Sequence, residues 1–437
     1  MLAKREPEDV FTPNTVAAKD MFERRNEPDR FGNPGLQDRV VESLRQRGAQ
    51  LRVFGDTGVG KTSLVTFAAA EAGRKILTVE CRTSFDYADI LEQALGRIQG
   101  VRLSSYVKRR EVSAEIEGQG GWKFLASIRG KITGATGQDR TFEIVDKSPL
   151  DLLIDLMAEK GYSLLVLDNF QNVIDRDTRT EVAQTMEVLA DRADSTRDIK
   201  MIVIGIAEDA NTLLTPSQSV RRRTVDIGVP RMPDEEIRAI LTTGFNLLHL
   251  PIDPSLEDHL VYYCDGFPFF THLIGLNISR AARRGQASRI TRAHISAGLL
   301  RTVNEVDETY AARVRMANER GGKVQPKRHL LQLLAQSTER TWTCGRAKQI
   351  WQVEYPSNSE KLQFIDVAMG SLIKKENGNV LTRDESTTPY RYRFSDPHFR
   401  AYLRLRAELG DVGGSREELL ASPRRAEWPQ IFPGSLS

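Results

Sequence analysis

Four short apolar runs punctuate the first half of the chain, at residues 51–54, 76–79, 162–168 and 201–206, each bounded by glycine or polar residues. Runs of this length that do not alternate read as strands buried on both faces. Helix-like stretches separate them, so the pattern predicts an α/β core: a parallel sheet covered by helices on both sides. Between the second and third runs lies more chain than such a core needs. There, residues 107–147 alternate short apolar runs with glycines, which predicts a β-hairpin or small ribbon inserted in the core. Its charges and Trp122 suit a contact surface, and a passive surface insertion fits equally well.

From residue 230 to 300 the spacing is helical throughout, and PDEEIRAILTTGFNLL opens with Pro233 and acids as a helix start does. Residues 300–320 read as a long polar helix that stops at Gly321-Gly322, the best hinge position in the chain. Beyond it the order is helix, helix, helix and two short strands, a sequence of elements that resembles a winged helix. The expected divisions are a core at 1–230, a helical segment at 231–320, a winged-helix-like domain at 321–410 and a polar, proline-containing tail of little order at 411–437.

A length of 437 residues agrees with more than one domain. The 62 basic and 59 acidic residues nearly cancel, to +3, which by itself implies no partner. Residues 321–410 hold 15 Lys and Arg against 9 Asp and Glu, enough to permit contact with DNA but not a strong basic stripe. Three scattered cysteines, Cys81, Cys264 and Cys344, argue against a disulfide framework and fit a reducing compartment. The six histidines show no metal-site spacing. No apolar run approaches the roughly 20 residues that span a bilayer, and the charged start MLAKREPEDVF lacks the apolar centre of a secretion signal. A soluble, cytoplasmic protein without a membrane partner is expected.

The chemistry concentrates after the first apolar run, in LRVFGDTGVGKTSLVTFAAAEAG. Here a strand leads into Gly55-Asp56-Thr57-Gly58-Val59-Gly60-Lys61-Thr62-Ser63 and then a helix, the context in which G-x-x-x-x-G-K-[ST] binds phosphate. The glycines let successive backbone N–H groups face a phosphate, and the helix N-terminus adds partial positive charge. Lys61 is expected to reach the β- and γ-phosphates of ATP, and Thr62 to ligate Mg2+. The run ending at Asp168, about a hundred residues on, supplies the expected second magnesium ligand.

Several segments together resemble the AAA+ superfamily, near its initiator-like branch and the signal-transducing STAND ATPases. VFTPNTVAAKDMFERRNEPDR resembles the adenine-side segment of such bacterial proteins. VIGIAEDANTLLTPSQSVRRRTVDIGVPRMPDEEIRAIL is similar to their fourth core strand, arginine-bearing helix end and fifth strand, leading into a helical lid. CDGFPFFTHLIGLNISRAARRG resembles a lid helix with a G-x-P motif, here Gly266-Phe267-Pro268. The resemblance implies that Pro268 touches the base or ribose side of the nucleotide, with a helix-starting turn as the plain alternative. It implies a sensor position at Glu208 or Asp209, although a neutral residue is commoner there. It also implies that Arg222, with Arg221 and Arg223 as alternatives, acts as a finger toward a neighbouring subunit, unless the three form only a solvated face.

The departure from the pattern is Asn169, where a glutamate commonly activates water. An amide orients water but takes no proton from it, so slow hydrolysis is expected, with Glu208 or Asp175 as substitute acids. The reading is an ATP-operated AAA+/STAND-like switch that controls self-assembly into a homo-oligomer or engagement of a separate effector protein, with antiviral defence as a setting implied by resemblance alone. The alternative is a DNA-loading ATPase, initiator-like or a transposition regulator, whose winged helix grips duplex DNA. A metabolic kinase fits less well, because the lid and terminal domain offer no small-substrate site.

Overall fold

A computed structural model describes residues 5–26, 34–99, 101–110, 124–133, 139–144, 148–194, 197–207, 210–214, 218–318, 326–355 and 362–409, with backbone only between 101 and 144. The four apolar runs are strands: β1 (Gln50–Gly55), β2 (Ile76–Glu80), β6 (Leu164–Asp168) and β7 (Lys200–Ile206). A fifth, β8 (Thr224–Gly228), completes a parallel sheet of order β2-β6-β7-β1-β8. Between β2 and β6, β3 (Val101–Arg110), β4 (Phe124–Thr133) and β5 (Asp139–Ile144) form a separate antiparallel sheet. The expected hairpin is thus a three-stranded ribbon that starts at Val101 rather than at 107; Trp122 lies outside the described residues.

The parallel sheet is covered on both faces, as its unbroken apolar strands require. One face carries Leu77, Val79, Leu165, Leu167, Met201 and Val203 into a core with the helices Tyr87–Arg97, Pro149–Glu159 and Arg176–Asp191. Arg52 is 3% exposed, and its guanidinium is satisfied by a fork onto Asp226 at 2.8 Å and by the carbonyls of Ala210 and Leu214. A buried arginine is tolerable only with its donors filled in this way.

The chain packs as two units, residues 22–231 and residues 1–21 together with 232–437. The expected core of 1–230 therefore loses its first 21 residues, and the reason is Phe11. Its ring is 1% exposed and lies over Gly244 and Gly275, where an added Cβ would approach it to 2.3 and 2.4 Å. Glycine at both positions makes the groove that this ring fills. Thr12 N then donates to His272 Nδ1 at 3.1 Å, and Arg280 Nε donates to Glu8 at 2.7 Å. Phe22, the next residue after this unit, stacks on Phe67 of the sheet unit at 4.0 Å.

His272 must stay neutral to accept the Thr12 hydrogen bond, and burial lowers its pKa to about 4. An unfolded histidine titrates near 6.5. Protonation therefore favours the unfolded state as pH falls from about 6.5 to about 4, and stability on the order of 3 kcal/mol is lost across that window and retained above it. Protection factors for hydrogen exchange in the helix Pro268–Arg284, taken relative to the intrinsic exchange rate at each pH, should fall between pH 7 and 4.5 in the wild type and do so much less in His272→Gln. An equal fall in both would remove His272 from the explanation.

The larger unit continues through the helices Asp234–Leu247, Pro254–Cys264, Pro268–Arg284 and Arg292–Asn318. Three more follow, Pro326–Gln336, Cys344–Glu354 and Gln363–Leu372, then an antiparallel pair, β9 (Leu381–Asp384) and β10 (Arg391–Phe394), and a last helix, Phe399–Glu408. This order matches the expected three helices and two strands. Arg400 and Arg404 of the last helix share Asp265 and both donate to Ala335 O. All three charged residues are buried, and they fasten the terminal helices to the C-terminal end of the helix Pro254–Cys264. Gly321-Gly322 and the tail from 410 lie outside the described residues.

Candidate nucleotide site

β1 delivers the chain into the glycine-rich loop, and the helix Lys61–Glu71 leaves it. Gly55 has φ +150°, and a Cβ there would stand 2.4 Å from Val229 O. Gly60 caps the helix at φ +88°, a left-handed conformation that only glycine adopts at little cost. Between them Asp56, Thr57, Gly58 and Val59 complete the turn, with Val59 buried as its apolar anchor. Ser63 follows in the first helical turn.

Lys61 Nζ donates to Gly55 O at 3.0 Å and Asp56 O at 2.6 Å, which holds it along the loop. Burial lowers its pKa to about 8, against the opposing pull of Asp168 and Asp56. Thr62 Oγ1 donates to Asp168 Oδ2 at 2.9 Å, although 106 positions separate the two residues. Asp168 ends β6, and its other oxygen accepts from Asn169 N at 2.8 Å. A hydroxyl and a carboxylate at one point, beside a phosphate cradle, are the hard oxygen donors that magnesium takes. The expected set Lys61, Thr62 and Asp168 is therefore brought together within one unit.

Asn169 sits at φ +56°, ψ +36°, the left-handed region. Asparagine enters this region more readily than other side chains, which pay roughly 1–2 kcal/mol there. The turn itself thus favours an amide at this position. Of the proposed substitute acids, Asp175 is engaged as the cap of the helix Arg176–Asp191, accepting from Thr178 N and Oγ1 at 2.7 Å each. Glu208 and Asp209 lie outside the described residues.

The three arginines after β7 separate clearly. Arg223 is half-buried and paired with Asp191 and Glu187, a structural role. Arg221 and Arg222 are exposed, and neither side chain has an ion-pair partner among the described residues. Pro268 is the first residue of the helix Pro268–Arg284, in the other unit.

Residues 45–214 match the AAA domain family. The match spans the phosphate loop, Asp168 and β7, and the five-stranded parallel sheet with its helices is the AAA+ type of P-loop ATPase fold. No curated protein matches the sequence. Among solved structures, the Walker-type ATPase PABY2304 of Pyrococcus abyssi is 14% identical, covering 88% of this chain and 99% of that one with a TM-score of 0.46. The Aeropyrum pernix ORC2 protein, solved as ADPNP–ADP complexes, is 13% identical over 90% of this chain and 98% of its own, with a TM-score of 0.45. Cdc6p of Pyrobaculum aerophilum is 16% identical over 92% and 98%, with a TM-score of 0.43.

Two residues of this region carry no sequence signal. Arg231, the last residue of the sheet unit, lies 3.6 Å from Asp56 of the phosphate loop. Arg25 donates to the carbonyls of Pro230 and Arg231 at 2.9 and 3.0 Å. The segment that leads out of the sheet unit is thereby tied to the glycine-rich loop. No motif covers a pair 175 positions apart.

Proposed function

We propose that the protein is an ATP-binding switch that hydrolyses its nucleotide slowly and uses the bound state to control self-assembly or engagement of a protein partner. The observation that carries this reading is the Thr62–Asp168 hydrogen bond, which joins the phosphate loop to the acid of β6. In this proposal Lys61 and the loop amides hold the triphosphate, while Thr62 and Asp168 hold Mg2+, which supplies charge neutralisation of the β- and γ-oxygens. The Asp56–Arg231 pair relays phosphate occupancy to the chain crossing at 231–232, because triphosphate charge competes with Asp56 for nearby cations.

Protein docking is favoured over duplex binding by the charge of the winged-helix-like region. Arg346 is paired with Glu339, Lys348 with Asp366 and Arg383 with Glu385, each at 2.6 Å. Such exposed pairs add little stability, but they offset the cations that phosphates would need. Light scattering with no nucleotide, with ADP and with a nonhydrolysable ATP analogue tests the assembly. Growth in mass with the analogue alone is the expected result. A constant mass, combined with salt-dependent binding of duplex DNA, would favour the DNA-loading alternative instead.

Arg222 is proposed as the finger toward a neighbouring subunit. Arg222→Ala is expected to lower ATP turnover on the order of a thousandfold with ATP affinity retained, since a finger acts on charge that develops in the transition state. Arg223→Ala should instead lower stability modestly. Unchanged turnover in Arg222→Ala and Arg221→Ala, measured by phosphate release, removes the finger from this stretch.

A further inference from the structure

The hydrolysis proposed above needs a group to receive the proton of the attacking water, and the amide of Asn169 cannot do so. Resting on that reading of the site, we propose that Glu80, at the end of the neighbouring strand, is the general base. Its position follows from the sheet register. β2 and β6 are adjacent and parallel, and Glu80 is the partner of Asp168. Adjacent strands stand about 4.8 Å apart, and paired residues project from the same face of the sheet. Burial checks the parity independently. Leu77, Val79 and Cys81 of the β2 segment enter the same core as Leu165 and Leu167 of β6. Thr78 and Glu80 therefore share the opposite face with Val166 and Asp168. On that face Asp168 meets Thr62.

The end of β2 is also held where this role requires. Cys81 N donates to Asp168 O at 2.8 Å, so the pairing extends one residue beyond Glu80. Asn172 Nδ2, in the turn that follows Asn169, donates to Cys81 O at 3.2 Å. The backbone after Glu80 and the loop after Asp168 are thus stitched together just beyond the acid pair.

Glu80 is exposed and, among the described residues, has neither a hydrogen-bond nor an ion-pair partner for its carboxylate. Among the described residues, three acids that follow β2 and β6 are engaged elsewhere. Asp86 and Asp89 cap the helix Tyr87–Arg97 reciprocally, and Asp175 caps Arg176–Asp191. Asn169 holds a left-handed turn that disfavours a glutamate. A free carboxylate is therefore provided one strand away from the position that cannot easily carry it.

In the proposed step the water oxygen forms a bond to the γ-phosphorus and the bond from that phosphorus to the β–γ bridging oxygen breaks. The electron pair leaves on ADP, and the water proton passes to a Glu80 oxygen and from there to solvent. No other reactant is consumed.

The test compares Glu80→Gln, Glu80→Ala and wild type in single-turnover ATP hydrolysis with saturating magnesium, with ATP affinity measured by calorimetry. Glu80→Gln is expected to bind ATP within about twofold of wild type and to hydrolyse on the order of a hundredfold more slowly, the usual contribution of a general base. Formate should restore part of the rate to Glu80→Ala, an effect that loss of a structural contact would not show. A wild-type rate in Glu80→Gln overturns the proposal. So does a slowed variant that formate fails to rescue, or a wild-type protein that binds ATP through Lys61 yet releases no phosphate. In that last case nucleotide binding stands and only the hydrolytic role falls. If Lys61→Ala binds ATP as tightly as wild type, the site itself is misassigned and Glu80 falls with it.

Discussion

Lys61→Ala is expected to weaken ATP binding at least about a hundredfold, close to 3 kcal/mol, while the protein stays folded. Lys61 is a partly buried cation whose ammonium is already aligned along the loop by Gly55 O and Asp56 O. Its removal leaves the triphosphate charge facing the loop amides without a counter-charge. The fold should survive, because β1 and the helix Lys61–Glu71 are fixed by Leu51, Val53, Leu64 and Val65, all essentially buried. The lowered pKa adds a second readout. Bound phosphate raises the pKa of Lys61 above its free value of about 8. Binding therefore takes up protons above pH 8, and affinity should fall as pH rises past that point in wild type. Calorimetry from pH 7 to 9 gives both results. An affinity that is unchanged by the substitution would show that the loop is not where ATP binds.

How much of this was legible in the sequence depended on how local the causes are. The phosphate loop was legible because a strand, a glycine turn and a helix start follow one another without interruption, and their residue types leave few alternatives. Asp168 was legible as the charged end of an apolar run. The packing of residues 5–21 with the helical unit was not, because it depends on Phe11 filling the space above two glycines that are 31 positions apart. The reason for Asn169 was hidden too: an amide reads as a lost catalytic acid until the backbone is seen to turn left-handed there. In sequence Glu80 is only the polar residue that follows the apolar run 76–79. Only the register β2–β6 sets it beside Asp168, and strand order is a tertiary fact. The same applies to Arg223, which is distinguished from Arg221 and Arg222 by two acids on the helix Arg176–Asp191.

Asp168→Ala is expected to abolish the magnesium dependence of nucleotide handling and to lower turnover on the order of a hundredfold or more. The carboxylate has two duties. Oδ2 accepts from Thr62, the proposed co-ligand of the metal, and Oδ1 accepts from Asn169 N at the start of the left-handed turn. Alanine removes both, so a loss of activity alone would not say which one matters. Asp168→Asn separates them: its amide oxygen can still accept from Asn169 N, but it brings no negative charge to a divalent cation. If the charge is what counts, both variants should lose the gain in ATP affinity that magnesium gives the wild type, and both should fail to release phosphate. Full activity in Asp168→Asn would assign the residue to holding the turn. Magnesium dependence that persists in Asp168→Ala would place the metal on other ligands, and Glu80, the register partner of Asp168 on the neighbouring strand, would be the next to substitute.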